Sequence, residues 1–225
     1  MKRVHLTPRA WVIAGALCAG VGAAQAQQVL LSEGFDNVPN LSTAGWVIGN
    51  MSTPVGDVTE GWYQGTPDPT RFAAQIGFPT SYAASSFNTA AAGGTLSNWL
   101  ITPSFSTASD TQISFWVRGA NDAGFFDSFS YGLSSGSSDS AAFSLLPTSV
   151  APTADWTQVT LTLPAQGAGT IGRLAIVYSG AADTSNYIGI DTLSVTAVPE
   201  PQTWLLSAAG LAACIAVVRR RKSAR

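Results

Sequence analysis

"WTQVTLTLP", residues 156–164, alternates without interruption: Val159, Leu161 and Leu163 fall on one face, Gln158, Thr160 and Thr162 on the other. A side-chain period of two with one polar face is what an antiparallel strand shows when one side meets a core and the other meets water. "TQISFWVR" (111–118) repeats the pattern with Ile113, Phe115 and Val117. "IGRLAIVYS" (171–179) does so with Leu174, Ile176 and Tyr178 set against Arg173. "FDSFSYGL" (126–133) and "YIGIDTLSV" (187–195) complete the stronger strand candidates. Gly, Ser, Thr, Asn and Asp recur between these runs at roughly ten-residue spacing, and a helical period is almost absent. The pattern predicts an all-β chain, an antiparallel β-sandwich of jelly-roll type. In the last run the inward alternation of Ile188 and Ile190 changes phase to Leu193 and Val195, which predicts a bulge around Asp191.

The two ends of the chain have a different chemistry. Residues 1–26 carry Lys2, Arg3 and Arg9, then an uncharged stretch Ala10–Gly22, then Ala24-Gln25-Ala26. A positive start, a short apolar run and a small-x-small site form a secretory signal peptide, and the apolar run is too short to span a bilayer. At the other end "VPEPQTWLLSAAGLAACIAVVRRRKSAR" (198–225) places an uncharged helix candidate, Thr203–Val218, directly before Arg219, Arg220, Arg221 and Lys222. An apolar run closed by basic residues is held with its positive end in the cytoplasm. Three parts follow: a signal peptide over 1–26, a sandwich over 27–197 and a C-terminal segment over 198–225.

Between the ends the charges are one-sided. The body has the three arginines Arg71, Arg118 and Arg173 against twelve acids, a net of nine negative charges. Nucleic acid is excluded as a partner, because binding phosphates requires Lys and Arg. The single histidine, His5, and both cysteines, Cys18 and Cys214, lie outside the body. A Ser-His-Asp or Cys-His mechanism therefore has no base there, and zinc has no His or Cys ligands. "TAAAGGTLS" (89–97) lacks the lysine, the spacing and the flanking strand of a phosphate loop. What remains for an enzyme is carboxylate chemistry: a glycoside hydrolase using Glu33, Glu60 or paired aspartates. We expect no enzyme.

Two resemblances rest on short motifs. "LLSEGFDNVPNLSTAGWVIGN" (30–50), "SNWLITPSFS" (97–106) and the late "YIGIDTLSV" resemble the choice-of-anchor J domains, related to cleaved-adhesin and MAM-like sandwiches. That resemblance implies an extracellular module of adhesive role. It also implies a structural calcium where the first and last strands meet, with Glu33, Asp36 and Asp191 as ligands, whereas from composition alone these acids equally serve as surface charge. Pro199-Glu200-Pro201, one hydrophobic helix and the basic tail resemble the PEP-CTERM sorting signal. This implies an exosortase-type processing enzyme as partner, a transient inner-membrane intermediate, and delivery to the outer surface or extracellular matrix of a Gram-negative cell.

The expected function is a structural or adhesive protein of an exopolysaccharide or biofilm matrix. The alternative is a carbohydrate-binding module that stacks sugars on Trp62, Tyr63 or Phe125, with "GWYQG" (61–65) as a loop platform or as core. Trp99 and Ile101 share one strand face, with Leu100 on the other and Pro103 stopping the strand. Trp99 is thus a core residue first and a ligand-binding residue second.

Overall fold

The computed structural model describes residues 27–198 and the single residue Gly210. The predicted signal peptide, the C-terminal helix and the basic tail lie outside the described residues. Among those described, no helix is long and apolar enough to cross a membrane.

The alternating stretch 156–164 forms a strand, Thr157–Leu163, paired residue for residue with Thr111–Gly119, from Thr157 opposite Val117 to Leu163 opposite Thr111. In chain order the described strands are β1 Gln28–Glu33, β2 Val47–Asn50, β3 Thr53–Val55, β4 Tyr63–Gln64, β5 Ala83–Ser86, β6 Ala90–Ile101 and β7 Phe105–Ser106. They continue with β8 Thr111–Gly119, β9 Ser128–Ser134, β10 Ser144–Leu145, β11 Ser149–Val150, β12 Thr157–Leu163, β13 Ile171–Ala181 and β14 Tyr187–Ala197. One sheet runs β12-β8-β14-β5-β4, with β1 also on β14. The other runs β10-β9-β13-β6-β2, with β11, β3 and β7 at its margins. The strand pairs are antiparallel, and the protein is an antiparallel β-sandwich.

Alternation supplies the core between the sheets. Ile113, Phe115 and Val117 of β8 and Ile188, Ile190, Leu193 and Val195 of β14 meet Leu96 and Leu100 of β6 and Leu174, Ile176 and Tyr178 of β13. The phase change in β14 is a bulge: its register against β8 shifts between Asp191 and Ser194, and Thr192 takes φ 46°.

Two strands carry little of the usual β signature. β5 is Ala-Ala-Ser-Ser, buried throughout. β6 begins Ala-Ala-Ala-Gly-Gly, so the stretch 89–97, read as lacking a flanking strand, lies mostly within one. At Gly94 close approach requires the absence of a side chain. A Cβ on Gly94 would stand 2.7 Å from the Ala91 carbonyl oxygen and 3.0 Å from that of Thr53.

Both outer faces are partly covered. Trp99 and Ile101 of β6 pack with Ala175 and Val177 of β13 under Phe143, while Leu100 points into the main core. On the other sheet Phe72 and Tyr82, carried by the connection between β4 and β5, form a separate aromatic cluster with Trp156 and Tyr187. Phe72 and Trp156 meet edge-on at 5.1 Å between centroids, an arrangement their quadrupoles favour.

Candidate functional site

The bulge in β14 turns Asp191 out of the core and under the β4–β5 connection. Its Oδ2 accepts the backbone N–H groups of Gln75 at 2.7 Å and Ile76 at 3.3 Å. Its Oδ1 accepts the N–H of Thr192 at 2.5 Å, and the Thr192 hydroxyl stands between this oxygen at 3.2 Å and Gln75 Oε1 at 3.0 Å, with one proton to give. The residue has no exposed surface. Burial pushes its carboxyl above the usual aspartate range, while the hydrogen bonds from Gln75, Ile76 and Thr192 pull the other way. Asp36 reaches the same segment from the exposed side, accepting the Ser81 hydroxyl at 2.5 Å. Glu33 Oε1 takes the Phe35 N–H at 2.8 Å, closing a local turn.

The structure thus brings Asp36 and Asp191 to one loop. Their fit to calcium in this geometry is poor. The Asp191 carboxylate already accepts three backbone N–H groups, whereas calcium takes about six to eight oxygen ligands. Among the described residues no group of three His, Cys, Asp or Glu side chains converges to hold a metal. As placed, the Asp191 carboxyl is an internal acceptor for loop amides.

Trp62, named as a sugar platform, lies inside, and so does Trp99, read first as core. Trp62 is 1% exposed and donates its indole N–H to the Asn98 carbonyl at 3.1 Å. Gly61 allows this, since a Cβ there would fall 2.4 Å from the Gly49 carbonyl oxygen. Trp99 is buried and donates to Ser97 Oγ at 3.1 Å. Tyr63 is half-buried, and burial pushes its phenol up to about 12. It lines one cleft of about 630 Å³ together with the exposed Glu60. Glu33, by contrast, ends β1 opposite Leu193.

Phe125 has a different setting. It is 41% exposed and lines a second cleft, of about 640 Å³, with Phe87, 45% exposed, on the turn after β5. Asp57, Asn88, Asp183 and Asn186 supply the polar lining. The walls come from four separate parts of the chain and are tied by main-chain hydrogen bonds. Phe87 N–H donates to Asn186 O at 2.9 Å, Phe126 N–H to Thr184 O at 2.8 Å, and Val58 N–H to Asn88 O at 3.1 Å. Asp183 Oδ1 accepts the Gly93 N–H at 2.8 Å, which leaves its second oxygen for a ligand.

Beneath the cleft, buried polar groups fix the walls. Asp127 accepts the Tyr178 hydroxyl at 2.6 Å and the Asn186 N–H at 2.8 Å. Its carboxyl is raised by burial, against the opposing pull of those hydrogen bonds. Asn98 donates to Ser85 Oγ at 2.9 Å and Thr89 Oγ1 at 2.5 Å. No Lys or Arg lines this cleft. The three arginines of the body are engaged elsewhere. Arg71 lies 4.7 Å from the Tyr187 ring centre and Arg118 5.0 Å from that of Phe72, while Arg173 donates to the carbonyls of Gly136 and Thr102. Phe125 was legible as a candidate. Phe87, isolated in "SSFNTA" (85–90), carries no signal that separates it from core.

Comparison with known proteins agrees at both levels. Residues 197–222 match the family model of the PEP-CTERM protein-sorting motif. The K3 cleaved adhesin domain of Lys-gingipain from Porphyromonas gingivalis W83 superposes with a TM-score of 0.56 at 24% identity, covering 76% of this chain and 99% of that domain. The K1 domain of the same protein gives 0.54 at 24% identity, over 75% of this chain and 98% of the domain. No curated protein matches the chain. The body therefore has a cleaved-adhesin-like fold, and the C-terminus carries a PEP-CTERM motif, the mark of an exported protein sorted by an exosortase-type enzyme.

Proposed function

We propose that this chain is a non-enzymatic surface or matrix protein. Residues 1–26 direct export, and the hydrophobic helix and basic tail hold the chain transiently in the inner membrane. An exosortase-type enzyme then removes that tail and releases the sandwich, near residues 27–197, to the outer surface or exopolysaccharide matrix of a Gram-negative cell. There it has a structural or adhesive role. The observation that carries this reading is the match of residues 197–222 to the sorting motif. The basic cluster is positional: Arg219, Arg220 and Arg221 stay on the cytoplasmic side while the helix is held.

Replacing Pro199, Glu200 and Pro201 together by alanine tests it. In a host with an exosortase the variant is expected to remain in the inner-membrane fraction, since its helix inserts but is not processed. Normal release of that variant would overturn the reading.

A further inference from the structure

We propose that the cleft between Phe87 and Phe125 binds an uncharged polysaccharide segment. The two rings stack on the C–H faces of sugars, and Asp57, Asn88 and Asp183 hydrogen-bond the hydroxyls. The proposal rests on the matrix reading and names what the module holds there.

The lining selects this class of ligand. Cleft volumes of about 300–1,000 Å³ with aromatic walls and a few convergent polar groups suit small ligands or short polymer segments, and this cleft measures about 640 Å³. Aromatic faces are electronegative and attract the weakly positive C–H face of a pyranose. Carboxylate and amide side chains are the complementary partners for its hydroxyl rim. Asn88 Oδ1 is already held by the Ser86 hydroxyl, so its amide N–H groups remain to donate outward.

Charge removes the competing anionic ligands. Asp57 and Asp183 line the cleft, no cation does, and the body around it carries nine net negative charges. A uronate or phosphate would enter an unfavourable field without a counter-charge. The site is also preorganised, since main-chain hydrogen bonds and the buried Asp127 and Asn98 fix walls drawn from distant segments. A site already ordered loses little freedom on binding, so weak stacking contacts are enough to hold a chain.

Every residue of the main core lies between Leu30 and Val195, so the chain from Gln27 to Val198 closes its own core. That domain is run through native gels containing β-glucan, galactomannan, arabinoxylan or, as the anionic control, alginate. We expect retardation by at least one neutral polymer, weakened at least about tenfold in apparent affinity by Phe87→Ala and by Phe125→Ala. Tyr63→Phe, in the other cleft, should leave it unchanged. Because both phenylalanines are exposed, the variants should melt like the parent, which separates lost binding from lost folding. No retardation by any neutral polymer overturns the proposal, as does retardation by alginate alone or binding indifferent to Phe87 and Phe125. Dimerisation abolished by Phe125→Ala would overturn it in favour of a second copy. These outcomes are independent of export: failure here leaves the sorting of the chain untouched, and failure of sorting leaves the gel result standing.

Discussion

Asp191 Oδ2 accepts the backbone N–H of Gln75 at 2.7 Å, joining the last strand to a loop 116 residues earlier in the chain. That contact, with Ile76 on the same oxygen, fixes the connection that brings Phe72 and Tyr82 onto Trp156 and Tyr187.

Removing the carboxylate should release that loop. Asp191→Ala removes the acceptor that ties the N–H groups of Gln75 and Ile76 to β14 and leaves them to water, at about 1 kcal/mol or more of net hydrogen bonding. Limited proteolysis should then cut first between Gln75 and Ser81. Unchanged melting with an intact loop would show that the anchor contributes nothing.

Acidification should stabilise the domain over a defined window. Burial raises the carboxyls of both Asp127 and Asp191 in the folded state. Unfolded aspartate titrates near pH 4, so the stability linked to these raised groups is fully present below that value. It is lost as pH rises through the folded values. The midpoint of melting should therefore be higher at about pH 5 than at pH 7.5, and Asp127→Asn should flatten the difference. A midpoint that only falls on acidification above pH 4 contradicts this.

Calcium binding through Glu33, Asp36 and Asp191 would place the ion on a carboxylate whose Oδ2 already accepts two loop amides. With those bonds kept, melting in about 1 mM calcium and in chelator should coincide. A ligand bound only by the folded state raises stability by RT ln(1 + [L]/Kd). A rise of several degrees, lost in Asp191→Asn, would establish a metal there instead.

Trp99→Ala should cost about 3–5 kcal/mol, because the indole packs with Ile101, Val177 and Phe143 and its removal leaves a cavity. Chemical denaturation measures it. Phe125→Ala, at an exposed position, should stay within about 0.5 kcal/mol of the parent. Reversed magnitudes would exchange the roles given to the two rings.

The fold was legible where residues advertise their periodicity. Val, Ile, Leu, Phe and Thr alternate in β8, β12 and β13, and the phase change at Asp191 announced the bulge. β5 and the first half of β6 were not legible, because Ala, Ser and Gly carry no periodic apolar signal even where, as in β5, every side chain is buried. The Gln75 partner of Asp191 could not be found either, since no local pattern points to a loop amide on the far side of the chain. The cleft posed the same difficulty: Phe87, Phe125 and Asp183 meet only because β5 pairs with β14 and the turn Ala182–Thr184 leads into it.

Intact mass of the protein recovered from the cell exterior tests the central claim most directly. Export followed by exosortase-type processing predicts a chain that begins near Gln27 and ends before the tail, without Arg219–Arg225. A recovered mass that still includes those residues would contradict it.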